Sequence, residues 1–310
     1  MAGDAADINR SIFNEEAAGY DVKHRKLIER LTREFQARLD FIGVDWASDS
    51  EDSDGEEGGA GDGRPPKREV RLLDYACGTG VMSRILAPYT TKCIGIDVSE
   101  KMVAEYNTRA ENQGLSPDEM HAVLGDLTSE SVGDALSSPS LFNFDIAVVG
   151  GGFHHFADPA LAAKRLVERL KPGGVLLIWD FLPHGQHVGN HEHKGHGHDH
   201  DHGHDHGHDH GHNAYHSVMH HGFSEPQMRE IFTGAGAGTD FQLEVIGGGF
   251  VLGHEQHREN AGQGAAATSG KWDDGEADAG RKDDGRDGKG KEALRRQVFF
   301  ARGTKGNLLV

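Results

Sequence analysis

The chain is short of the features that mark several large protein classes. It has 2 cysteines in 310 residues, too few for a disulfide framework, so a reducing compartment suits it and the expected location is cytoplasmic. No apolar run approaches the roughly 20 residues of a spanning helix. The opening MAGDAADINRSIFNEEAAGYD also lacks the basic-then-apolar order of a signal peptide. Basic residues are outnumbered, 32 Lys plus Arg against 50 Asp plus Glu, for a formal charge of −18. That balance repels phosphate backbones and anionic lipid surfaces, so neither nucleic acid nor membrane is expected as a partner.

Three stretches lack the apolar content to build a core: residues 46–69, 184–216 and 253–293. The first carries seven acids and no base between Trp46 and Gly63 and reads as an acidic, disordered loop. The second is a histidine-rich insertion, and the third a glycine-rich, disordered linker in which acids and bases nearly balance. The remaining 212 residues are the size of one α/β domain. The expected organisation is an N-terminal helical lid (1–45), a core (70–183), its continuation (217–252), and a last strand and tail (294–310).

Within the lid, Tyr20, His24, Leu27, Ile28, Leu31, Phe35, Leu39 and Ile42 recur at three- and four-residue steps, which predicts a helix with one face docked. From Val70 the pattern changes. VRLLDY (70–75), KCIGID (92–97), HAVLGD (121–126), FDIAVVG (144–150) and GVLLIWD (174–180) are near-continuous apolar runs. Runs of that kind suit strands covered on both faces. Helical stretches lie between them at 81–88, 99–113 and 158–170, and LKPGG (170–174) stops the last. Ser99 and Asp158 sit at N-cap positions, and Ser224 with Gln227 has capping-box spacing. Two further strands are expected at 240–247 and 296–303. Alternating β and α units imply a doubly wound, mostly parallel sheet of the Rossmann-like kind, interrupted by low-complexity loop insertions.

In such a sheet, ligands bind beyond the carboxyl ends of the strands. The first strand ends in Asp74-Tyr75-Ala76-Cys77-Gly78-Thr79-Gly80, a tight turn in which Gly78 and Gly80 permit close ligand approach. The second ends in Asp97, 17 residues after Gly80, a spacing at which a carboxylate reaches both hydroxyls of a ribose. The third ends in Gly125-Asp126, a carboxylate placed for an adenine amino group. Three acids around a glycine turn repel a pyrophosphate, and the third glycine of a dinucleotide fingerprint is missing. A cationic nucleoside fits them better. Cys77 and Cys93 read as small packed residues at buried strand ends.

The ordered set DYACGTG, IGIDVSEKM, LGD, FDIAVVGGGFHH and LKPGG resembles the class I S-adenosylmethionine-dependent methyltransferases, in particular the small-molecule branch similar to the ubiquinone-biosynthesis C-methyltransferases. The resemblance covers residues 11–46, 70–183 and 220–303. It implies a seven-stranded sheet with a reversed last strand and S-adenosylmethionine as cofactor. It also implies roles: Asp74, Gly78 and Gly80 hold the methionine moiety, and Asp97 the ribose. Met102 lies against the adenine, Asp126 faces its amino group, and Gly150 lines the sulfonium end. The first glycine of the family's turn is Ala76 here, which fits if that backbone has negative φ. The segment Phe13 to Asp21 looks like the family's lid, where Tyr20 either closes over the cofactor or belongs to a helix covering the sheet edge.

The implied activity is methyl transfer to a small-molecule acceptor by in-line displacement, with no protein-bound metal required. His154 and His155, just past the fourth strand, read either as a base for the acceptor or as packed, hydrogen-bonded side chains. The stretch from His184 to His221 holds 16 of the 22 histidines, alternating with Gly and Asp, a composition with adventitious affinity for divalent metal. Two other readings stay open: an inactive methyltransferase-fold protein that buffers metal through this tract, and a protein methyltransferase.

Overall fold

The structure, a computed structural model, describes residues 2–47, 68–129, 132–183, 217–252 and 294–306. The histidine tract, the 253–293 linker and most of the acidic loop lie outside the described residues.

The N-terminal region forms α1 (Ala2–Glu16), α2 (Tyr20–Lys23), α3 (Arg25–Gln36) and α4 (Leu39–Ile42). The single helix expected over Tyr20 to Ile42 is therefore three short ones, broken at His24 and at Ala37-Arg38, where φ/ψ leaves the helical well at His24 and Arg38. The apolar recurrence survives because Leu31, Phe35 and Ile42 still reach one core. Helix α1 lies within the expected helical lid, although its apolar residues are few and Ile8 is 45% exposed. Tertiary contacts hold it. Asn14 Oδ1 accepts from Ser99 Oγ (2.6 Å) and Lys101 N (3.1 Å), and Arg10 Nε donates to Val98 O (3.1 Å).

The rest is β1 (Arg71–Tyr75), α5 (Val81–Leu86), β2 (Lys92–Asp97), α6 (Glu100–Asn112), β3 (Met120–Leu124), β4 (Phe144–Gly150), α7 (Pro159–Arg169), β5 (Leu170–Phe181), α8 (Glu225–Ala235), β6 (Thr239–Leu252) and β7 (Leu294–Thr304). One seven-stranded sheet has the order β3-β2-β1-β4-β5-β7-β6. Strands β1 to β5 run parallel, and β7 runs antiparallel to both neighbours. This is the doubly wound sheet with a reversed last strand that the sequence led us to expect. The stretch 170–174 differs: it belongs to β5, because Gly173 N donates to Lys305 O (3.1 Å) and Lys305 N to Gly174 O (2.8 Å).

Alternate residues of each strand serve opposite faces, as a pleated strand requires. Leu73, Ile94, Ala147, Leu176 and Phe299 join one buried cluster with Leu166 of α7 and Phe232 of α8. Leu72, Cys93, Ile146, Leu177 and Phe300 join the other with Phe35, Met82 and Tyr106 from α3, α5 and α6. Both cysteines are buried and free. Helix starts follow the expected caps: Ser99 Oγ accepts from Met102 N (3.1 Å) and Asp158 Oδ1 from Leu161 N (2.9 Å). At α8, Ser224 N donates to Gln227 Oε1 (2.9 Å). Strand order reverses between β1 and β4, which opens a crevice at their carboxyl ends.

Candidate functional site

The turn after β1 forms the floor of the crevice. Ala76, Gly78 and Gly80 have φ of +54°, +52° and +84°. Ala76 is thus in the left-handed region, contrary to the negative φ expected of it; the glycine it replaces is the residue that backbone prefers. A Cβ built on Gly78 meets nothing within 4 Å, whereas one on Gly80 stands 2.6 Å from the Tyr106 ring. The hollow therefore lies over Gly78, and Gly80 packs against α6.

Beneath the turn, Asp74 is buried. Its Oδ2 accepts from Ser83 N (3.0 Å) and Ser83 Oγ (2.8 Å), while Oδ1 has no hydrogen-bond partner. Burial pushes this carboxyl up to about 7 against the pull of the Ser83 bonds. Asp97 ends β2 and braces two loops, with Oδ2 accepting from Gly78 N (2.8 Å) and Oδ1 from Ser99 N (2.8 Å). Its pKa is also raised by burial, the backbone bonds opposing. Asp126 uses Oδ1 for Tyr75 OH (3.1 Å), Thr128 N (2.7 Å) and Thr128 Oγ1 (2.7 Å), which leaves Oδ2 for a ligand donor.

Beyond β4 the two histidines have different surroundings. His154 is buried, with its backbone N 3.0 Å from Asp180 Oδ2 and its ring Nδ1 2.9 Å from Asp180 Oδ1, so it clamps this turn to the end of β5. The His155 ring stacks on His154 at 4.1 Å between centroids and places Nδ1 3.0 Å from Ser217 O. Ser217 Oγ lies at the same 3.0 Å from Nδ1; a carbonyl only accepts, so a proton on Nδ1 is the arrangement that satisfies Ser217 O, and Nε2 is then the ring's acceptor. Burial, then the neighbouring His154, lowers the pKa of His155 to about 4. His220 Nε2 bonds Phe156 O (3.1 Å), a structural use.

Helix α1 and Tyr20 cover the crevice and complete a cavity of about 100 Å³. Gly78, Asp97, Met102, Asp126, Gly150, Tyr20 and His155 all line it. Asp74, Gly80 and His154 do not: the first lies under the turn, the second under Tyr106, the third against Asp180. Gly150 is glycine for packing, since a Cβ there would meet Met82 at 2.4 Å. The sequence reading missed Asn9 and Asp180. Asp180 closes an apolar strand, a signal already used for Asp97; Asn9 had none, because no motif in the lid marks it. No lysine or arginine is among the described residues lining the cavity, and no helix among them is long and apolar enough to cross a membrane. Nor do the described residues hold a group of three or more His, Cys, Asp or Glu able to bind a metal ion.

Residues 73–178, the span that holds these strand ends, match the family described as "Methyltransferase domain". That match covers about a third of the chain. The domain is similar to an uncharacterized methyltransferase of Schizosaccharomyces pombe, 32% identical over 119 residues, 38% of this chain and 41% of that protein. It is likewise similar to a ubiquinone biosynthesis O-methyltransferase of Caulobacter sp. (strain K31), 30% identical over 118 residues, 38% of this chain and 43% of that protein. The match thus spans about two fifths of these curated relatives. Among solved structures, a chain of the complex between the Haloferax volcanii Trm112 methyltransferase activator and a methyltransferase shares the fold. It has a TM-score of 0.52 and 14% identity, covering 95% of this chain and 98% of that one.

S-adenosylmethionine, the cofactor of the methyltransferase domain, fits the residues present. The hollow over Gly78 has room for ligand atoms, and Asp126 Oδ2 can accept from an amino group. No lysine or arginine among the described lining residues would neutralise a phosphate there.

Proposed function

We propose that this chain methylates a small-molecule acceptor, with the acceptor held between the glycine turn and His155. The observation that carries this reading is the cavity beneath α1, which joins Gly78, Asp97 and Asp126 to His155 in one space. Gly78, Asp97, Met102 and Asp126 would hold the cofactor, with Tyr20 closing over it and Asp74 acting from below the turn. S-adenosylmethionine, when bound, supplies an electrophilic methyl group on a sulfonium. The chain's own tasks are alignment and exclusion of water, together worth about 7 to 11 kcal/mol when the reacting atoms are well placed. Small size of the acceptor is favoured by the narrow cavity and by relatives named for ubiquinone biosynthesis and for demethylmenaquinone.

His155 Nε2 is the proton acceptor in this reading. A neutral imidazole of low pKa is a weak base, yet a hydroxyl or amine becomes a strong acid as its methyl bond forms, so a weak base suffices late in the reaction. His154 and Asp180 keep the His155 ring in place.

The test is calorimetry with S-adenosylmethionine and S-adenosylhomocysteine, followed by transfer of radiolabelled methyl into fractionated extract. Binding of both, with label in the metabolite fraction, is expected. His155→Gln should lower turnover by about 10² or more while leaving cofactor affinity intact. Absence of cofactor binding, or label appearing in protein alone, would sink the proposal.

A further inference from the structure

The hydroxyl of Tyr75 links two of the strand ends around the cavity. Tyr75 closes β1, Asp126 lies just past β3, 51 residues on, and both line the space. Tyr75 Oη stands 3.1 Å from Asp126 Oδ1 and 3.1 Å from Leu127 N. The direction of each bond is fixed. The backbone N–H of Leu127 can only donate, so the hydroxyl oxygen accepts there and its single hydrogen goes to the carboxylate. Burial, then the charge of Asp126, pushes the Tyr75 hydroxyl well above its usual range, so it stays a donor around neutral pH.

Asp126 receives three donors, and all three go to Oδ1. Thr128 N and Thr128 Oγ1, each at 2.7 Å, come from two residues along the same loop and move with it. Tyr75 is different. It belongs to the strand that carries the glycine turn, and its ring packs on Phe156 with 5.3 Å between centroids. The Thr128 bonds fix the carboxylate relative to its own backbone, and of the three the Tyr75 bond alone fixes it relative to the floor of the cavity. With Oδ1 so occupied, Oδ2 is the oxygen left for a ligand.

We infer that Tyr75 is a positioning residue for nucleoside recognition: its hydroxyl holds the Asp126 carboxylate so that Oδ2 accepts from the amino group of the cofactor's adenine. The inference rests on the methyltransferase reading above. A carboxylate pinned in advance loses less freedom when the ligand arrives, and a charged acceptor makes a stronger bond than a neutral one. A nucleoside without the amino group leaves that acceptor without its donor. Sites built around such a donor discriminate against analogues that lack it.

The experiment uses full-length protein and calorimetry with two probes, S-adenosylhomocysteine and its 6-desamino analogue, in which hydrogen replaces the adenine amino group. The unsubstituted protein should prefer the amino compound about tenfold. Tyr75→Phe keeps the ring and removes only the hydroxyl. It should lower Tm, because the N–H of the fully buried Leu127 loses its acceptor. Such loosening weakens both probes alike, so the readout is the ratio of the two affinities, expected to shrink to about threefold or less. Asp126→Ala should abolish the preference, and adding Tyr75→Phe to it should change the ratio no further. An undiminished ratio in Tyr75→Phe, or a preference that survives Asp126→Ala and still falls on adding Tyr75→Phe, would overturn the inference while the methyltransferase reading stood. So would equal affinity of the unsubstituted protein for the two probes. Failure of the unsubstituted protein to bind S-adenosylhomocysteine would overturn both.

Discussion

Asp21, at the junction between the N-terminal helices and the core, accepts a 2.6 Å hydrogen bond from Thr79 Oγ1 in the glycine turn. The same carboxylate meets Arg84 (2.7 Å) and Arg109 (3.2 Å), so one side chain ties α2 to the turn, to α5 and to α6. Burial alone would raise its pKa, but the bonds from Thr79 and Arg84 and the two positive charges outweigh that and hold it below the ordinary 3.8. A lowered folded-state pKa means stabilisation that is present at neutral pH and disappears as pH falls below the ordinary value. Asp21→Asn should cost about 1 kcal/mol in denaturant unfolding at pH 7. It should also speed proteolysis between α1 and α3 and weaken cofactor binding several-fold.

Ala76 carries an avoidable strain. Ala76→Gly relieves a left-handed alanine but gives the unfolded chain more freedom, so a net gain of about 1 kcal/mol is expected, read as a rise in Tm. Ala76→Val, branched at the same φ, should lower Tm clearly.

The two glycines of the turn should fail in different ways. Gly80→Ala drives a methyl into the Tyr106 ring and should cost about 2 to 3 kcal/mol of folding stability. Gly78→Ala meets only open space, so its folding cost is the φ penalty of roughly 1 kcal/mol. Its methyl would enter the hollow, and cofactor affinity should drop about tenfold or more. Equal loss of affinity at equal stability in both variants would argue against a ligand over Gly78.

Asp74 gives a pH signature. Its folded-state pKa, about 7, lies above the ordinary 3.8. Stability from this group is therefore full below about 4 and is lost as pH climbs through 7. His155, lowered from 6.5 to about 4, slopes the opposite way in the same window, so the whole-protein profile mixes the two. The comparison that isolates Asp74 is the stability of Asp74→Asn relative to the unsubstituted protein, by urea unfolding without cofactor. The variant should gain relative stability between pH 4.5 and pH 8; a flat difference would contradict the assignment.

Much of the architecture was legible before any coordinates. Five apolar runs with helices between them are enough to specify a parallel sheet covered on both faces, because each run leaves no polar side for solvent. Strand-end acids and a glycine turn, in order, pointed to the carboxyl edge, where the cavity lies. Gly78, Asp97, Met102, Asp126 and Gly150, all at or just beyond strand ends, line the cavity.

Three-dimensional packing settled the rest. Nothing local distinguishes Gly78 from Gly80, or His154 from His155; the difference is that Tyr106 and Asp180, distant in sequence, occupy the space beside one member of each pair. The φ of Ala76 follows from closure of a turn between two strands, and alanine's own preference was overruled. Helix α1 has too weak an apolar pattern to announce itself and stands because Ser99, Lys101, Val98 and His155 satisfy its polar side chains. Periodicity reports which residues turn from water, and it is silent about which atoms they meet there.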